Sequence, residues 1–259
     1  MRADVYLTEH GYAPSRRRAQ ELIESGSVTV DGKVVKKSST AIEEGEHIVT
    51  VEDQLAYVSR GGLKLEAALD AFLPDIAGMT ALDIGASTGG FTDCLLSRGA
   101  VRVYAVDAGV GQLAQKLRED PRVISREHLN ARTLSPKDIN GERVDLIVMD
   151  VSFISATYIL PQFPSLLKED GYAVCLIKPQ FEVGKSMLGK GGIVKDPKAH
   201  RAAVERVMQG GIQAGLTPVG LIPSPVTGGD GNREFLICFA CGETDRQALS
   251  LSDIPRLLF

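Results

Sequence analysis

Long apolar runs are missing from this chain: the longest, such as residues 146–149 and 236–240, stop well short of the roughly 18 to 20 residues that a membrane-spanning helix requires. No spanning segment is expected. The N-terminus, MRADVYLTEHGYAPSRRR, carries charge where a secretory leader needs an apolar core, so a cytoplasmic location is expected. Cysteine is scarce as well. Its four positions, 94, 175, 238 and 241, all fall in apolar stretches, as reduced structural thiols do, and no disulfide framework is expected. Cys238 and Cys241 form a CxxC, but in the strand-like run FLICFAC positions three apart face opposite sides, and no second ligand pair exists. No metal is expected. Excess basic charge is also lacking: the net charge of −4 excludes a protein that coats nucleic acid over its whole surface, so any RNA contact must come from a local patch.

What is present describes an ordinary folded protein. With 44% hydrophobic and 24% charged residues over 259 positions, the chain can bury a core, and its length allows two unequal domains. Residues 1–52 read as a small α+β unit. Ser15 is a plausible N-cap, Ala19, Leu22 and Ile23 recur at helical spacing, and Gly26 is a stop signal, which predicts a helix over 15–25. SVTVDGKVVKK then sets Asp31-Gly32 between two β-branched runs, a strong hairpin signal, and GEHIVTVED supplies another extended piece. Arg16, Arg17 and Arg18 open the helix, and Lys33, Lys36 and Lys37 follow the turn. Seven basic against ten acidic residues in 1–53 make the unit acidic overall, so the charge pattern alone leaves RNA binding and a solvated surface equally open. The ordered whole, from RADVYL to VVKKSS, resembles the S4 domain, an RNA-binding module. The resemblance implies that Arg16, Arg17, Arg18, Lys33, Lys36 and Lys37 face RNA.

DQLAYVSRGG, 53–62, reads as a linker ending in paired glycines. Beyond it, strands near 80–84, 101–106, 122–126, 144–150, 172–177, 217–222 and 234–240 alternate with helices near 63–73, 90–98, 110–118, 155–168 and 197–214. Such alternation predicts an α/β fold, a Rossmann-like parallel sheet covered on both faces over 63–245, with 246–259 as a C-terminal tail.

In TALDIGASTGGFTDCLL an apolar strand, the acid Asp83 and a glycine-rich turn run directly into a helix. Glycines let the backbone approach a ligand closely, and the helix amides then face it. A dinucleotide fingerprint would read GxGxxG, whereas this turn reads GASTGG. It resembles the first motif of class I methyltransferases, whose loop cradles the amino acid end of S-adenosylmethionine. By that resemblance Asp83, Gly85, Ala86, Ser87, Gly89, Gly90, Phe91 and, after a later strand, Asp150 bind the cofactor. Asp107 ends the next strand, where a carboxylate can accept both hydrogens of a ribose diol. Asn130, in the loop after the third strand, is a candidate for the adenine edge; an asparagine there equally suits a turn.

Three charged residues stand at strand ends: Asp150 closes DLIVMD, Lys178 closes YAVCLIK, and Glu234 opens EFLICFA. Lys64 joins them from SRGGLKLEAA. Each alone is the ordinary place where a strand meets water. Together they resemble the Lys-Asp-Lys-Glu tetrad of FtsJ-like ribose 2′-O-methyltransferases. With the S4-like unit in front, residues 2 to about 242 are similar to the TlyA family, ribosomal RNA methyltransferases often labelled hemolysin A. The resemblance implies S-adenosylmethionine as cofactor and ribosomal RNA or ribosomal subunits as partner, with cytidine as the nucleoside. The chemistry suits these residue types. A ribose hydroxyl is a poor nucleophile and needs a base within hydrogen-bond reach, a role a lysine can fill where its surroundings favour the uncharged amine. Lys178 is assigned that role, Asp150 orients it, and Lys64 with Glu234 positions the ribose and balances charge.

PQFEVGKSMLGKGGIVKDPK, after Lys178, reads as a mobile lid, an RNA clamp or a plain surface loop. Three other functions compete. DVSF at 150–153 loosely resembles the DPPY-type motif of base methyltransferases, but both prolines are absent and paired lysines have no task there. A membrane-lytic protein, as the hemolysin label suggests, would need a spanning or strongly amphipathic basic segment. A catalytically dead RNA-binding scaffold would not need the intact cofactor motif.

Overall fold

A computed structural model describes every residue except 14, 25, 44, 46, 52–55, 185–186, 229–230 and 259. The chain divides into two compact units, Met1–Arg60 and Gly61–Phe259.

In the first unit, α1 (Ala3–Glu9) and α2 (Arg16–Glu24) pack beside a three-stranded antiparallel sheet of β1 (Val28–Val30), β2 (Lys33–Val34) and β3 (Val49–Val51), in the order β2-β1-β3. The Arg18 amide donates to Ser15 Oγ at 3.2 Å, the N-cap expected of that serine. Gly26 ends the helix with φ +76°. Asp31 and Gly32 both lie in the left-handed region, as the tight hairpin turn demands. The sequence reading missed α1. Seven residues carry too little periodicity to be recognised, and so short a helix persists only through its packing; Tyr6 and Leu7 are buried with Leu22 and Ile23. Residues 46, 52 and 53 of the expected extended piece and 53–55 of the expected linker lie outside the described residues.

The second unit is a seven-stranded sheet: β4 (Thr80–Ile84), β5 (Arg102–Val106), β6 (Val123–Arg126), β7 (Val144–Met149), β8 (Leu167–Ile177), β9 (Leu216–Pro223) and β10 (Phe235–Cys241). The order is β6-β5-β4-β7-β8-β10-β9. The first five strands run parallel, and β10 is antiparallel to both its neighbours, so the sheet is not wholly parallel. Around it pack α3 (Gly61–Phe72), α4 (Gly90–Ser97) and α8 (Pro197–Gln213), with shorter helices α5 (Gln115–Arg118), α6 (Phe163–Leu166), α7 (Pro179–Glu182) and α9 (Ile254–Leu258).

Four sequence expectations differ from the structure for identifiable reasons. The helix expected over 155–168 is broken into two 3-10 turns and α6, because Pro161 and Pro164 cannot sit inside a helix, only at the start of short ones. The helix expected over 110–118 shrinks to α5, after Gly111 adopts φ +64°. Gly61 and Gly62, assigned to the linker, open α3, where a first turn has no amide partners to lose. The stretch set apart as a tail ends in α9, whose Ile254 and Leu258 are buried in the same apolar cluster as Val204 and Phe239. Among the described residues no helix is long and apolar enough to cross a membrane, and no group of three or more His, Cys, Asp or Glu side chains could hold a metal ion.

Candidate active site

Strand order reverses at β4, which lies between β5 and β7. In open α/β sheets the crevice beyond such a reversal is where ligands bind. The glycine turn occupies that edge. Gly85 has φ +85°, and a Cβ there would lie 2.4 Å from the carbonyl oxygen of Asp150, so only glycine lets the turn pass the end of β7. Gly89 has φ +95°, and its Cβ would lie 2.2 Å from Leu117 Cδ1. Ser87 also adopts a left-handed conformation, φ 49°, and Gly90 begins α4. Phe91 is 3% exposed, so it braces the turn from the core. Ala86 is likewise buried beside it.

Two carboxylates frame this turn. Asp83 is wholly buried; its Oδ2 accepts from Thr92 Oγ1 at 2.6 Å, while Oδ1 has no partner among the described residues. Burial pushes its carboxyl up to about 7. Asp107, half-buried, accepts from the amides of Ser87 at 2.8 Å and Gly109 at 2.7 Å, which fixes the turn relative to β5. Asn130 is exposed, and its Oδ1 accepts from the Arg132 amide at 3.0 Å as the cap of a 3-10 turn, so its side chain carries out the turn role.

The four residues singled out around the sheet come together at the same edge. β7, β8 and β10 are neighbours, and because β10 runs antiparallel, its first residues stand beside the last residues of β8, with Phe235 opposite Ile177. Glu234 thereby meets the end of the strand that leads into Lys178. Lys178 Nζ lies 2.5 Å from Asp150 Oδ1, out of line for a hydrogen bond, and donates to Ser152 Oγ at 2.8 Å. Lys64, on the first turn of α3, donates to Glu234 Oε2 at 2.5 Å, and both side chains are at most a tenth exposed. Burial raises the Glu234 carboxyl above its ordinary range; the Lys64 and Lys178 charges oppose this shift and Asp150 adds to it. All four groups therefore lie within electrostatic reach of one another. Gly228 leaves room for this carboxylate, since a Cβ there would stand 2.5 Å from Glu234 Oε1.

The FtsJ-like methyltransferase family matches residues 57–241, and the S4 domain matches residues 1–48. A relative from Mycobacterium tuberculosis, named 16S/23S rRNA (cytidine-2′-O)-methyltransferase TlyA, is 46% identical over 246 residues, 95% of this chain and 91% of its own. The chain belongs to the TlyA family of FtsJ-like methyltransferases. A hemolysin-named structure from Streptococcus thermophilus superposes with a TM-score of 0.80 at 39% identity, covering 99% of this TlyA-family chain and 94% of that one. An S-adenosylmethionine-dependent methyltransferase from Mesorhizobium loti, at 14% identity, shares the fold with a TM-score of 0.52 over 67% of this chain and 96% of its own.

Residues that sequence reasoning missed also stand at this edge of the TlyA-family sheet. Phe153 is 90% exposed with φ 65°, and its ring lies 5.2 Å from that of Phe181. An exposed aromatic beside Lys178 and Ser152 offers a stacking face for a base. The local signal for it is in DVSF, where an aromatic follows a strand-end acid by three positions. The glycine- and lysine-rich segment after α7 is tied down: Asn232, just before β10, accepts from the Val194 amide at 2.9 Å. Lys185 and Ser186 of that segment lie outside the described residues.

In the S4 unit Arg16, Arg17, Lys33, Lys36 and Lys37 are exposed and Arg18 is half-buried. Asp4 was not anticipated. It is wholly buried, accepting from Arg2 Nε at 2.9 Å, Arg16 Nη2 at 3.2 Å and Gln20 Nε2 at 2.8 Å. Hydrogen bonding from Arg2, against the opposing effect of burial, holds its carboxyl well below the usual carboxylate range.

Proposed function

We propose that this chain transfers a methyl group from S-adenosylmethionine to a ribose 2′-hydroxyl of ribosomal RNA, with cytidine as the modified nucleoside. The observation that carries the reading is the convergence of Lys64, Asp150, Lys178 and Glu234 as two close ion pairs at the edge where the glycine turn ends β4. The TlyA relative's activity and the S4 domain support ribosomal RNA as substrate.

The residues present fit the cofactor. Gly85 and Gly89 give the turn the left-handed backbone that lets it pass the end of β7 and Leu117 closely, and Asp83 keeps one buried oxygen without a partner among the described residues. Asp83, the turn from Gly85 through Ser87, and Gly89 and Gly90 would hold the amino acid end; Asp107 would take the ribose, its carboxylate oxygens having acceptor capacity beyond the two amides they already serve. Asn130 would reach the adenine edge through its neighbouring backbone, since its side chain caps a turn. When bound, S-adenosylmethionine supplies an electrophilic methyl on a sulfonium. Lys178 accepts the proton of the 2′-hydroxyl in its uncharged form, and Asp150 with Ser152 fixes the direction of its amine. Lys64 and Glu234 hold the ribose and keep the local charge balanced. A base-methylation platform would have no task for the paired lysines Lys64 and Lys178. The test is purified protein, S-adenosylmethionine and ribosomal subunits or their RNA, followed by nucleoside mass spectrometry. 2′-O-methylcytidine is expected; a base-methylated product would overturn the reading.

Two consequences follow from buried carboxylates. At pH 7 Asp83 is partly protonated, and the cofactor's cationic amine favours the carboxylate form. Binding should therefore release a proton. Affinity is expected to rise as pH increases from 6 to about 7.5, until the α-amino group, with an ordinary pKa of about 7.8, begins to lose its own charge. Calorimetry at pH 7 in phosphate and in Tris should give different heats, and Asp83→Asn should abolish that difference.

The other consequence concerns Asp4. Asp4→Asn makes the S4 unit more positive by one charge, so simple attraction predicts tighter RNA binding. Because Asp4 fixes Arg2 and Arg16, weaker binding, by about tenfold, is expected instead, as bound arginines that must be ordered anew lose affinity. Filter binding of the full chain to ribosomal RNA, with circular dichroism to confirm folding, checks the sign.

A further inference from the structure

Of the buried carboxylates among the described residues, Asp83 and Glu234 belong to the catalytic edge and Asp4 to the S4 unit. Glu182, 4% exposed, has no part in that chemistry. It is the last residue of α7, four positions beyond Lys178, yet its carboxylate is turned toward the segment that follows β7. Its Oε2 accepts from Ser155 Oγ at 2.5 Å and its Oε1 from the Ala156 amide at 2.8 Å, at the start of the 3-10 turn Ala156–Tyr158. Arg206 of α8 stands 3.9 Å from Oε2 and donates to the Glu182 carbonyl at 3.0 Å. One carboxylate thus fastens the segment carrying Asp150, Ser152 and Phe153 to the segment carrying Lys178 and Phe181.

Phe153 lies between the fastened points. A left-handed conformation at a bulky residue is a strained outlier that persists only where its surroundings over-determine it. Its own ring contributes little to holding it, being 90% exposed. The constraint comes from both flanks. Upstream, the Asp150 amide donates to the Ile84 carbonyl at 3.0 Å and Lys178 donates to Ser152. Downstream, Ser155 and Ala156 are held by Glu182.

We propose that Glu182 is a positioning residue: by clamping Ser155 and Ala156 it keeps Phe153 in its left-handed conformation beside Phe181 and fixes the spacing of the two segments that present Asp150 and Lys178. This rests on the methyl-transfer reading for its consequence, though not for its geometry. Glu182 touches neither the reacting atoms nor the cofactor residues, so its loss displaces the catalytic groups without emptying the cofactor site.

The chain has no tryptophan, so Phe153→Trp installs a single tryptophan, excited apart from the six tyrosines, at the proposed point of control. Combining it with Glu182→Ala, or with the milder Ser155→Ala should the first variant fold poorly, is expected to lower the anisotropy of that tryptophan; unchanged emission and anisotropy would overturn the proposal. With Phe153 intact, either variant should lower kcat by on the order of 10- to 100-fold, the scale of a small misplacement of reacting groups, and leave S-adenosylmethionine affinity within about twofold by calorimetry. The two substitutions together should lower kcat by less than the product of their separate effects, because they share the Ser155–Glu182 hydrogen bond. A lowered melting temperature with kcat unchanged would reduce Glu182 to a structural role and defeat the inference. If the wild-type chain transfers no methyl group to ribosomal RNA, the parent reading fails, and the fluorescence comparison alone decides the fate of this one.

Discussion

Lys178→Ala is expected to lower methyl transfer to the ribose by about 10³-fold, within the range of 10²–10⁴ that a positioned general base contributes, while S-adenosylmethionine affinity stays nearly unchanged. The expectation rests on separation within the site. The turn from Gly85 to Gly90 and the Asp107 carboxylate are held by their own amide contacts, none of which involves Lys178. Lys178 instead contacts Asp150 and Ser152. The loss should fall on kcat in single-turnover assays, the signature of an interaction made in the transition state. Base methylation would not need this amine, so an active Lys178→Ala enzyme would remove ribose chemistry from consideration.

Lys64→Met is expected to destabilise the second unit by about 3 kcal/mol at pH 8, because breaking a buried pair leaves an uncompensated charge. Glu234 is 2% exposed and Lys64 is its hydrogen-bonded partner. Burial already raises the Glu234 carboxyl, and Lys64 opposes that shift, so its removal raises the carboxyl further. For an acid whose folded pKa lies above its unfolded value of about 4.3, stability is greatest at acidic pH and is lost as pH rises toward the folded value. The penalty should therefore shrink between pH 8 and pH 5.5, as Glu234 takes up a proton. Adding Glu234→Gln should recover much of the stability, though not activity. Urea midpoints at the two pH values test this; a penalty independent of pH would mean that the pair is not the origin of the loss.

Local signals in the sequence were reliable where the chain itself dictates the backbone. Asp31-Gly32 specified its turn, Ser15 its cap, and the prolines and glycines around 155–168 and 109–111 marked breaks that apolar periodicity alone overrode. The order of elements in the second unit was also legible, since continuous apolar strands alternating with helices leave few arrangements. What escaped were short elements and clamps held by distant partners. α1 depends on packing against α2, and Asp4 looks like a surface acid until Arg2, Arg16 and Gln20 enclose it. Glu182 reads as one acid in a glycine- and lysine-rich stretch, because its partner Ser155 is 27 positions away.

The sequence by itself determined the residue types of the site: a glycine turn that no other residue could make, two strand-end acids beside it, and two lysines with two carboxylates spread over 171 positions from 64 to 234. Only the tertiary structure decided that these four charges face one another. A carboxylate or ammonium is placed by the strand that carries it, and β10, by entering the sheet antiparallel next to β8, brings Glu234 to the edge where β7 and β8 end. Strand neighbours are chosen by how the whole apolar core closes, and no window of sequence around Lys64 or Glu234 contains that information.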